Sequence, residues 1–365
     1  MKLRVLHTES SLGWGGQEIR VLTEARGVAR QGHEVLLAAP ADSRILAEAP
    51  RLGVEAQALA IGRKGLGGLL ALRGLLARRE FDVVNTHSST DSWLAAVATS
   101  TLDGAPPIVR TRHISAPVPA NSATRWLYSK AACVVTTGER LRKQVIAEAG
   151  IEPKRAVSIP TGIDLAAFQP ADRDAARASV ELPAGASIIG IVATLRSWKG
   201  HRYLLQALAA MRRPEVSLVV VGDGPQREAL HRLALTLGIA AQVRFAGNQG
   251  EVAPWMRAFD VFCLPSYANE GVPQALMQAM ACALPVVTTS VGSIDEIVTD
   301  GETGVIVPAQ NDMRLRVELS NLLDDAPRRA ALGARAHAVA QARFGDELMV
   351  ERLIEVFAGA VEHRG

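Results

Sequence analysis

Short apolar runs alternate with segments of helical periodicity along this chain, beginning at its first residues. The run LRVLHT (3–8) has the composition of a buried strand, and a glycine-bearing loop follows it. Apolar positions then recur at helical spacing until Gly32 ends the helix, and HEVLLAAP (33–40) begins the next strand. A strand, a helix and a second strand in this order predict a right-handed crossover and a parallel sheet.

The same alternation continues along the first half of the chain and restarts in its middle, after a looser and more charged segment. Further strands are predicted at 81–87, 107–113 and 132–138, and in the second series at 187–195, 217–224, 242–247, 260–266 and 284–290. The predicted fold class is α/β, with two Rossmann-like, doubly wound domains that face a cleft. In such sheets ligands bind at the carboxyl ends of the strands.

The predicted domain boundaries follow this restart. Residues 1–165 form one domain, residues 166–185 are a linker, and residues 186–345 form a second domain. A length of 365 residues fits two domains, because one hydrophobic core rarely grows beyond ~250–300 residues. The final segment, 346–365, is amphipathic with no strand after it, and we expect its helix to pack back on the N-terminal domain.

Composition excludes several classes of protein. Hydrophobic residues make up 48% of the chain and charged residues 21%, as in ordinary globular proteins rather than disordered ones. The three cysteines, Cys133, Cys263 and Cys282, lack the spacing of a disulfide framework or a zinc site. The N-terminus lacks the apolar core of a signal peptide, and no run approaches the ~18 apolar residues that a membrane span needs. These features predict a cytoplasmic protein.

Charge is distributed unevenly along the chain. Residues 1–165 carry a net charge of +6 and residues 166–365 a net charge of −3. This asymmetry indicates that the first domain binds an anionic ligand or surface. The stretch 62–80 combines many leucines with five cations. This composition fits two alternatives: an ordinary domain helix, or peripheral contact with an anionic membrane at the inner face of the plasma membrane. Nucleic acid is not an expected partner, because aromatic residues are scarce and no recognition motif is present.

The first domain offers two kinds of candidate site residue. Gly15 and Gly16 lie in the loop GWGGQE (13–18) before the first helix, where backbone N–H groups and the helix N-terminus favour a diphosphate. A tight turn explains the same glycines. His87 and His113 each end a predicted strand, so we expect their imidazoles at the ligand-binding edge of the sheet.

The second domain offers two cations on one predicted loop. Arg196 and Lys199, in LRSWKGH (195–201), follow a strand, and this spacing suits the two phosphates of a diphosphate. The segment lacks the GxxxxGK[ST] pattern, so nucleotide hydrolysis of the P-loop type is not expected. The strand VRFAG (243–247) contains Arg244 and Phe245.

The most informative stretch is PSYANEGVPQALMQAMACALPVVTTSVGSIDEIV, at 265–298. Glu270 stands in the loop before a helix whose first turn contains Pro273, and Gln278 lies one to two turns further on. The helix N-terminus at Gly271 and Val272 offers N–H groups to phosphates or sugar hydroxyls. Together these residues can contact separate parts of one nucleotide-sugar.

This stretch resembles the signature of the retaining glycosyltransferase family 4, which has the two-domain GT-B architecture. Glu270 matches the first glutamate of that signature, and AMACALPVV (279–287) matches its helix-to-strand turn. Similar elements occur in family order over nearly the whole chain: GWGGQE, RTRHIS (110–115), PTGID (160–164), LRSWKGH, VVVGDGPQREAL (219–230) and VRFAG. The chain departs from the family pattern at Gln278, which replaces a glutamate, at Ala283, which replaces a glycine, and in the short spacing of Arg196 and Lys199.

The resemblance implies a metal-independent enzyme without a cofactor, which moves a hexose-type sugar from a nucleotide diphosphate to a glycan or lipid-linked acceptor with retention of configuration. It implies catalytic roles for Glu270 and His113, and donor binding by the other residues named above. Among these, Arg244 and Phe245 of VRFAG are the candidates for binding the nucleotide base. Its motif variants are similar to those of bacterial envelope or lipopolysaccharide sugar transferases. A nucleotide-sugar epimerase of the same fold and a non-catalytic nucleotide-sugar-binding protein are the alternatives.

Overall fold

A computed structural model describes residues 1–113, 117–268 and 270–363 of the chain. Ile114 and Ser115 of the RTRHIS motif, and Asn269 beside Glu270, lie outside the described residues. The chain forms two compact units, one built from Met1–Gly162 with Asp346–Gly365 and the other from Ile163–Gly345. Each unit contains one parallel sheet covered by helices, so the predicted α/β class with two doubly wound domains is confirmed.

The first unit consists of seven strands and seven helices among the described residues. Its strands are β1 (Arg4–Thr8), β2 (Glu34–Ala39), β3 (Glu55–Ala58), β4 (Val83–Thr86), β5 (Ile108–Arg112), β6 (Ala131–Thr136) and β7 (Ala156–Ser158). Its helices are α1 (Gly16–Arg30), α2 (Arg44–Glu48), α3 (Leu66–Arg78), α4 (Ser89–Thr99), α5 (Ser122–Ser129), α6 (Glu139–Ala149) and α14 (Asp346–Glu362).

The first sheet has the strand order β3-β2-β1-β4-β5-β6-β7, and its two faces form separate cores. Side chains alternate between the faces: Val84 packs in the core of α3 to α6, and Val83 in the core of α1, α2 and α14. The helix α14 lies against α1, where a Cβ on Gly27 would come within 2.3 Å of Val350, so only glycine permits this approach. The last helix therefore belongs to the first unit.

The second unit consists of six strands and seven helices among the described residues. Its strands are β8 (Ser187–Val192), β9 (Val216–Val221), β10 (Val243–Gly247), β11 (Val261–Leu264), β12 (Val286–Thr288) and β13 (Val305–Ile306). Its helices are α7 (Arg173–Ser179), α8 (His201–Met211), α9 (Arg227–Thr236), α10 (Ala253–Ala258), α11 (Gln274–Ala281), α12 (Asp312–Asp324) and α13 (Ala326–Arg343). The strand order is β10-β9-β8-β11-β12-β13.

The segment 166–185 is part of the second unit, so its interpretation as a linker was wrong. Its helix α7 is held by an ion pair in which Arg177 Nη2 lies 2.8 Å from Asp260 Oδ2, with side chains 5% and 10% exposed. Asp260 also accepts a hydrogen bond from the backbone N–H of Ile188 at the start of β8. Charged residues in this segment suggested an exposed linker, whereas Arg173 and Arg177 both pair with Asp260 within the unit.

All ten predicted strands are present, and three short strands were not predicted. These are β3 and β7, at the two edges of the first sheet, and β13, at an edge of the second. β3 has the sequence EAQA and is mostly exposed, so it lacks the apolar run by which buried strands are recognised. In the described part of the chain, the helices are too short or too polar to traverse a lipid bilayer.

Candidate active site

Two loops of the second unit meet at one edge of its sheet because the strands before them are neighbours. β8 and β11 pair in parallel, so the loops that follow them leave the sheet at the same end. The backbone N–H of Tyr267 donates a 2.8 Å hydrogen bond to the carbonyl of Trp198. Gly200 has φ of +77°, and a Cβ there would lie 2.0 Å from the carbonyl oxygen of Pro265. The two loops are therefore locked together by their backbones.

This arrangement brings Lys199 to Glu270, although 71 residues separate them. Lys199 Nζ lies 2.6 Å from Glu270 Oε1, and the lysine and glutamate side chains are 20% and 4% exposed. The hydroxyl of Ser266 donates a second 2.6 Å hydrogen bond to the same oxygen. A carboxylate with this little exposure needs such partners, because burial of an unpaired charge is costly.

The backbone at Glu270 is fixed by a second close contact and leads into α11. Gly292 has φ of +67°, and a Cβ there would lie 2.0 Å from the carbonyl oxygen of Glu270. The next residue, Ser293, donates its backbone N–H to the carbonyl of Gly271. The positive end of the α11 dipole thus follows directly after the Lys199–Glu270 pair.

The helix α11 begins one residue later than expected. Pro273 is its N-cap, with Gln274 as the first helical residue, so Pro273 precedes the first turn instead of lying in it. Val272 is buried just before the cap. Gln278 lies half-buried in the second turn, and its carbonyl accepts a hydrogen bond from Cys282. The structure therefore places Gly271, Val272 and Pro273 beside Glu270, and Gln278 one turn further along the helix.

Arg196 lies on the same loop as Lys199, and its side chain is exposed. The backbone N–H of Lys199 donates to the carbonyl of Arg196 within a short 3-10 turn, Ser197–Lys199. The Arg196 guanidinium carbon lies 5.6 Å from the ring centroid of Trp198, which gives it a cation–π contact. The loop thus carries one cation paired with a carboxylate and one exposed cation.

Arg244 and Phe245 are not brought together by the structure. They are successive residues of the edge strand β10, so their side chains point to opposite faces. Arg244 donates to the carbonyl of Glu181 and lies 5.2 Å from the ring of Trp255, whereas Phe245 stacks on His231 at 3.9 Å. The two side chains cannot contact the same face of one base without moving.

The glycine loop of the first unit lies beside carboxylates. Gly15 is extended and precedes α1, which begins at Gly16. A Cβ on Gly15 would lie 3.8 Å from a carboxylate oxygen of Glu18, which is buried in the first turn of α1. The carboxylate of Glu9 accepts hydrogen bonds from Ser11 N–H and the Gln17 amide, at 2.7 and 2.6 Å. The negative charges of these carboxylates oppose the binding of an anion such as a diphosphate at the loop.

Two buried carboxyl groups, those of Asp91 and Glu9, lie close to this loop. Asp91 forms a capping box at the start of α4 and accepts hydrogen bonds from the backbone N–H groups of His87 and Ser88. Burial, with the nearby charge of Glu9, raises the pKa of Asp91 to about 7. Burial also raises the pKa of Glu9, against the hydrogen bonds that it accepts from Ser88, Gln17 and Ser11. Close to neutral pH the two groups therefore hold less than two negative charges.

His113 and His87 are joined to a third histidine that strand-end reasoning missed. His113 Nε2 lies 3.0 Å from His87 Nδ1, and His87 Nε2 lies 2.9 Å from His7 Nδ1. His7 lies inside β1 and packs edge-on against Phe357 of α14. Burial lowers the pKa of His7 to about 3, and burial also lowers the pKa values of His87 and His113. The three imidazoles are neutral at physiological pH.

The inner end of this histidine chain meets an ion pair within α1. Arg20 Nε lies 2.6 Å from Glu24 Oε1, with side chains 1% and 0% exposed. One nitrogen each of His7 and His87 and one oxygen of Glu24 lie within 4.8 Å of one another, a spacing that can hold a metal ion. The charge of Arg20 and the hydrogen bonds between the rings oppose a dication there. We interpret the group as a hydrogen-bonded chain.

A pocket of about 480 Å³ opens in the first unit near the carboxyl ends of β1, β2 and β3. Its lining is largely apolar, with Leu12, Pro40 and Leu59 among the contributors, and Asp42 and Arg63 add one charge of each sign. Arg63 belongs to the cationic stretch 62–80 of the sequence analysis. This volume lies within the range of small-molecule pockets.

Four residues described above were not predicted from the sequence: Ser266, Gly292, His7 and Glu24. Ser266 follows β11 directly, so the strand-end rule that selected His113 could have selected it. Gly292 lies in the family-like VGSIDEIV segment, but only the structure gives its positive φ and its contact with Glu270. His7 lies inside a strand and Glu24 inside a helix, where periodicity predicts packing rather than chemistry.

Comparison with known proteins identifies the class. The family described as Glycosyl transferases group 1 matches residues 172–339, and Glycosyltransferase Family 4 matches residues 14–167. D-inositol 3-phosphate glycosyltransferase of Thermobispora bispora is 33% identical, over 81% of this chain and 75% of that protein. The enzyme of the same name from Stackebrandtia nassauensis is 30% identical, over 96% and 88% of the two chains.

A solved structure of the same fold is that of Anabaena HepE in complex with UDP and glucose. It is 21% identical, covers 98% of this chain and 100% of its own, and superposes with a TM-score of 0.85. The fold and the sequence matches together define a GT-B glycosyltransferase. The chain belongs to glycosyltransferase family 4, and it is a transferase.

Proposed function

We propose that this protein transfers a sugar from a nucleotide diphosphate to an acceptor hydroxyl with retention of configuration, and that Glu270 and Lys199 form the centre of its donor site. The observation that carries the proposal is the 2.6 Å Lys199–Glu270 pair directly before the N-terminus of α11. A buried carboxylate beside a cation and a helix dipole can orient sugar hydroxyls while positive charge stabilises a leaving diphosphate.

The roles of the remaining residues follow from the charges that form as the donor bond breaks. When the bond between the anomeric carbon and the diphosphate breaks, negative charge grows on the phosphate oxygens, which Arg196 and Lys199 stabilise. The acceptor oxygen bonds to the same face of the anomeric carbon, and its proton passes to the departing phosphate. Gly271, Val272 and Pro273 face the donor sugar, and Gln278 contacts ribose hydroxyls as a neutral hydrogen-bonding group.

The first unit contributes His113, which accepts a hydrogen bond from a hydroxyl of the bound sugar or of the acceptor. Gly15 and Gly16 keep their predicted role as backbone donors to the diphosphate, although Glu18 weakens it. Because Arg244 and Phe245 lie on opposite faces of β10, one of them, rather than both, contacts the nucleotide base.

The donor is tested with a panel of UDP-, GDP- and ADP-sugars, scored by calorimetric binding and by release of free nucleotide. UDP-sugars are the first choice because the Anabaena protein of the same fold binds UDP. Glu270→Gln is expected to lower kcat by about 10²–10³-fold while nucleotide affinity stays within about threefold. Glu302→Gln, at an exposed position of the same unit, is the matched control. Full activity of Glu270→Gln would disprove the catalytic assignment.

The acceptor we propose is a small phosphorylated polyol, because the sequence relatives named above are D-inositol 3-phosphate glycosyltransferases. The pocket at the ends of β1 to β3 offers Arg63 for the phosphate. With inositol phosphate as acceptor, Arg63→Ala should raise KM and leave kcat unchanged. The glycan or lipid-linked envelope acceptor expected from the sequence enters the same panel, and a preference for it would overturn this choice.

Metal independence and membrane contact are separate proposals. Because Arg196 and Lys199 supply positive charge to the leaving group, turnover should persist in EDTA, with magnesium addition as the control. Leu66 and Leu70 are exposed on α3, at 73% and 60%, near the cations Arg63 and Lys64. Binding to phosphatidylserine vesicles but not to phosphatidylcholine vesicles, reduced by Leu66→Ser with Leu70→Ser, would support contact with an anionic membrane.

A further inference from the structure

Three imidazoles form a line that runs inward from the edge of the first sheet. His113 is half-buried, whereas His87 and His7 are 4% and 0% exposed. The contacts join His113 Nε2 to His87 Nδ1 and His87 Nε2 to His7 Nδ1, at 3.0 and 2.9 Å. Both nitrogens of the central ring are therefore used, and each outer ring has one nitrogen outside the line.

A line of neutral imidazoles can carry its protons in only two arrangements. Each neutral ring holds one N–H, and each contact needs one donor and one acceptor. If His87 carries its proton on Nδ1, then His7 is protonated on Nδ1 and His113 on its outer nitrogen, Nδ1. If His87 carries its proton on Nε2, then His113 is protonated on Nε2, its outer Nδ1 is a bare acceptor, and His7 is protonated on Nε2.

The inner end of the line distinguishes these arrangements. Among the described residues, His7 Nε2 and Glu24 Oε2 are both buried without a hydrogen-bond partner, and a nitrogen of His7 lies within 4.8 Å of a Glu24 oxygen. A carboxylate favours an N–H facing it over a second lone pair. The opposing influence is Arg20, whose Nη2 has no hydrogen-bond partner within the described parts of the chain. Its charge is held by Glu24 at 2.6 Å, and its Nη1 donates to Thr161.

We propose that Glu24 acts as a positioning residue which, through His7 and His87, holds the proton of His113 on Nε2 and leaves His113 Nδ1 as a bare hydrogen-bond acceptor. The ligand for this nitrogen is a hydroxyl group of the sugar donor or of the acceptor, and this part rests on the proposed function. Orientation of a substrate hydroxyl is thereby set by a buried carboxylate two imidazoles away from the one that contacts it.

The first test uses the unaltered protein labelled with ¹⁵N-histidine. Nitrogen chemical shifts separate protonated from bare ring nitrogens, and His113→Gln assigns the resonances of His113 by their loss. The Nε2–H form of His113 is expected to exceed the Nδ1–H form by about tenfold, which corresponds to about 1.4 kcal/mol. A predominant Nδ1–H form of His113 would overturn the proposal, and so would a charged imidazole at neutral pH.

Variants test whether Glu24 is the cause. Glu24→Gln removes the charge but keeps the shape, and the tenfold preference at His113 should fall to about threefold or less. Glu48→Gln, at an ion-paired glutamate of α2, should leave the preference unchanged. If Glu24→Gln does not fold, His7→Phe keeps a ring against Phe357 and interrupts the line, with the same expected loss. An unchanged His113 tautomer in either folded variant contradicts the role of Glu24.

A transferase assay on the same samples separates this inference from the proposed function. The expected result is a lower kcat for Glu24→Gln with an unchanged Kd for the nucleotide, because the donor diphosphate does not contact Glu24. The expected tautomers in a protein that transfers no sugar would refute the proposed function and leave the control of His113 by Glu24 standing. Active enzyme with the opposite tautomer would refute only this inference.

Discussion

A Cβ atom on Gly292 would lie 2.0 Å from the carbonyl oxygen of Glu270, so the backbone beside this glutamate admits only glycine as its neighbour. Glu270 is separated from Gly292 by 22 positions, and the contact ties the loop after β11 to the loop after β12. The placement of the proposed catalytic carboxylate therefore depends on a residue with no chemistry of its own.

Gly292→Ala is expected to shift this loop and to lower both stability and turnover. Gly301→Ala is the matched control, because Gly301 has φ of +72° but nothing within 4 Å of its Cβ position, whereas Gly292 has φ of +67°. Both variants lose about 1 kcal/mol from the left-handed backbone, and Gly292→Ala loses about 1–3 kcal/mol more from the clash. Urea unfolding and kcat measure the difference. Equal effects of the two substitutions would contradict the positioning role of Gly292.

The Lys199–Glu270 pair is expected to show strong energetic coupling. A double-mutant cycle with Lys199→Met and Glu270→Gln should give a coupling free energy of about 1.5–3 kcal/mol, because the carboxylate is 4% exposed and its loss of a partner is costly. The same cycle on Arg227 and Asp223, which are 41% and 47% exposed, should give below about 1 kcal/mol. A coupling no larger than that of this exposed pair would show that the buried pair is not rigidly held.

Asp260 is expected to hold α7 on the second unit. Asp260→Ala leaves Arg177 buried without its counter-charge and should reduce the free energy of unfolding by about 3–5 kcal/mol. Asp324→Ala, which removes the exposed partner of Arg213, should cost below about 1 kcal/mol. Hydrogen exchange of α7 amides locates the effect. Unchanged protection of α7 in Asp260→Ala would contradict the role of Asp260 in holding this helix.

The contribution of Asp91 to the stability of the first unit should decrease between about pH 4 and pH 7. The buried histidines act in the opposite direction, because their lowered pKa values keep them uncharged where the unfolded chain is protonated. The pKa of Asp91 is raised from 3.8 to about 7 in the folded state, so in this range the folded chain holds a proton that the unfolded chain has released. This contribution is complete below pH 4 and is lost as the pH rises through 7, with a slope of up to about 1.4 kcal/mol per unit. Hydrogen exchange of β1 and β4 amides measures it as the difference between the unaltered protein and Asp91→Asn.

Glu9→Gln should make that slope shallower, since the charge of Glu9 is one cause of the raised pKa of Asp91. Glu48→Gln serves as the control at an exposed ion pair. A stability difference between the unaltered protein and Asp91→Asn that does not decrease from pH 4 to pH 7 would contradict the assignment of a proton to Asp91.

Much of the candidate site was accessible from the sequence because its parts follow predicted strands. Lys199 follows β8 and Glu270 follows β11, and parallel strands end at the same edge of a sheet. The strand-end rule also selected His87 and His113, which the structure joins at 3.0 Å. The strand-end rule could not show that β8 and β11 are neighbours, because the order of strands in the sheet is not given by the order of strands along the chain.

The sequence patterns did not predict which partners the side chains find, because these partners depend on the tertiary structure. Arg244 and Phe245 stay predictions for the nucleotide base, and the structure adds that these successive strand residues face opposite sides and contact different helices. The segment 166–185 looked like a linker because charge suggests exposure, until Asp260 provided a partner 83 residues from Arg177.

The sequence by itself determined the alternation of strands and helices, the two doubly wound units and the family, since these depend on local periodicity and on motifs read in order. Only the tertiary structure decided which side chains share a charge or a proton: Lys199 with Glu270 and, within the first unit, His113 with His87, His7 and the Arg20–Glu24 pair. Such pairing requires desolvation and distances near 3 Å between residues far apart in the chain, and neither is encoded in any local pattern.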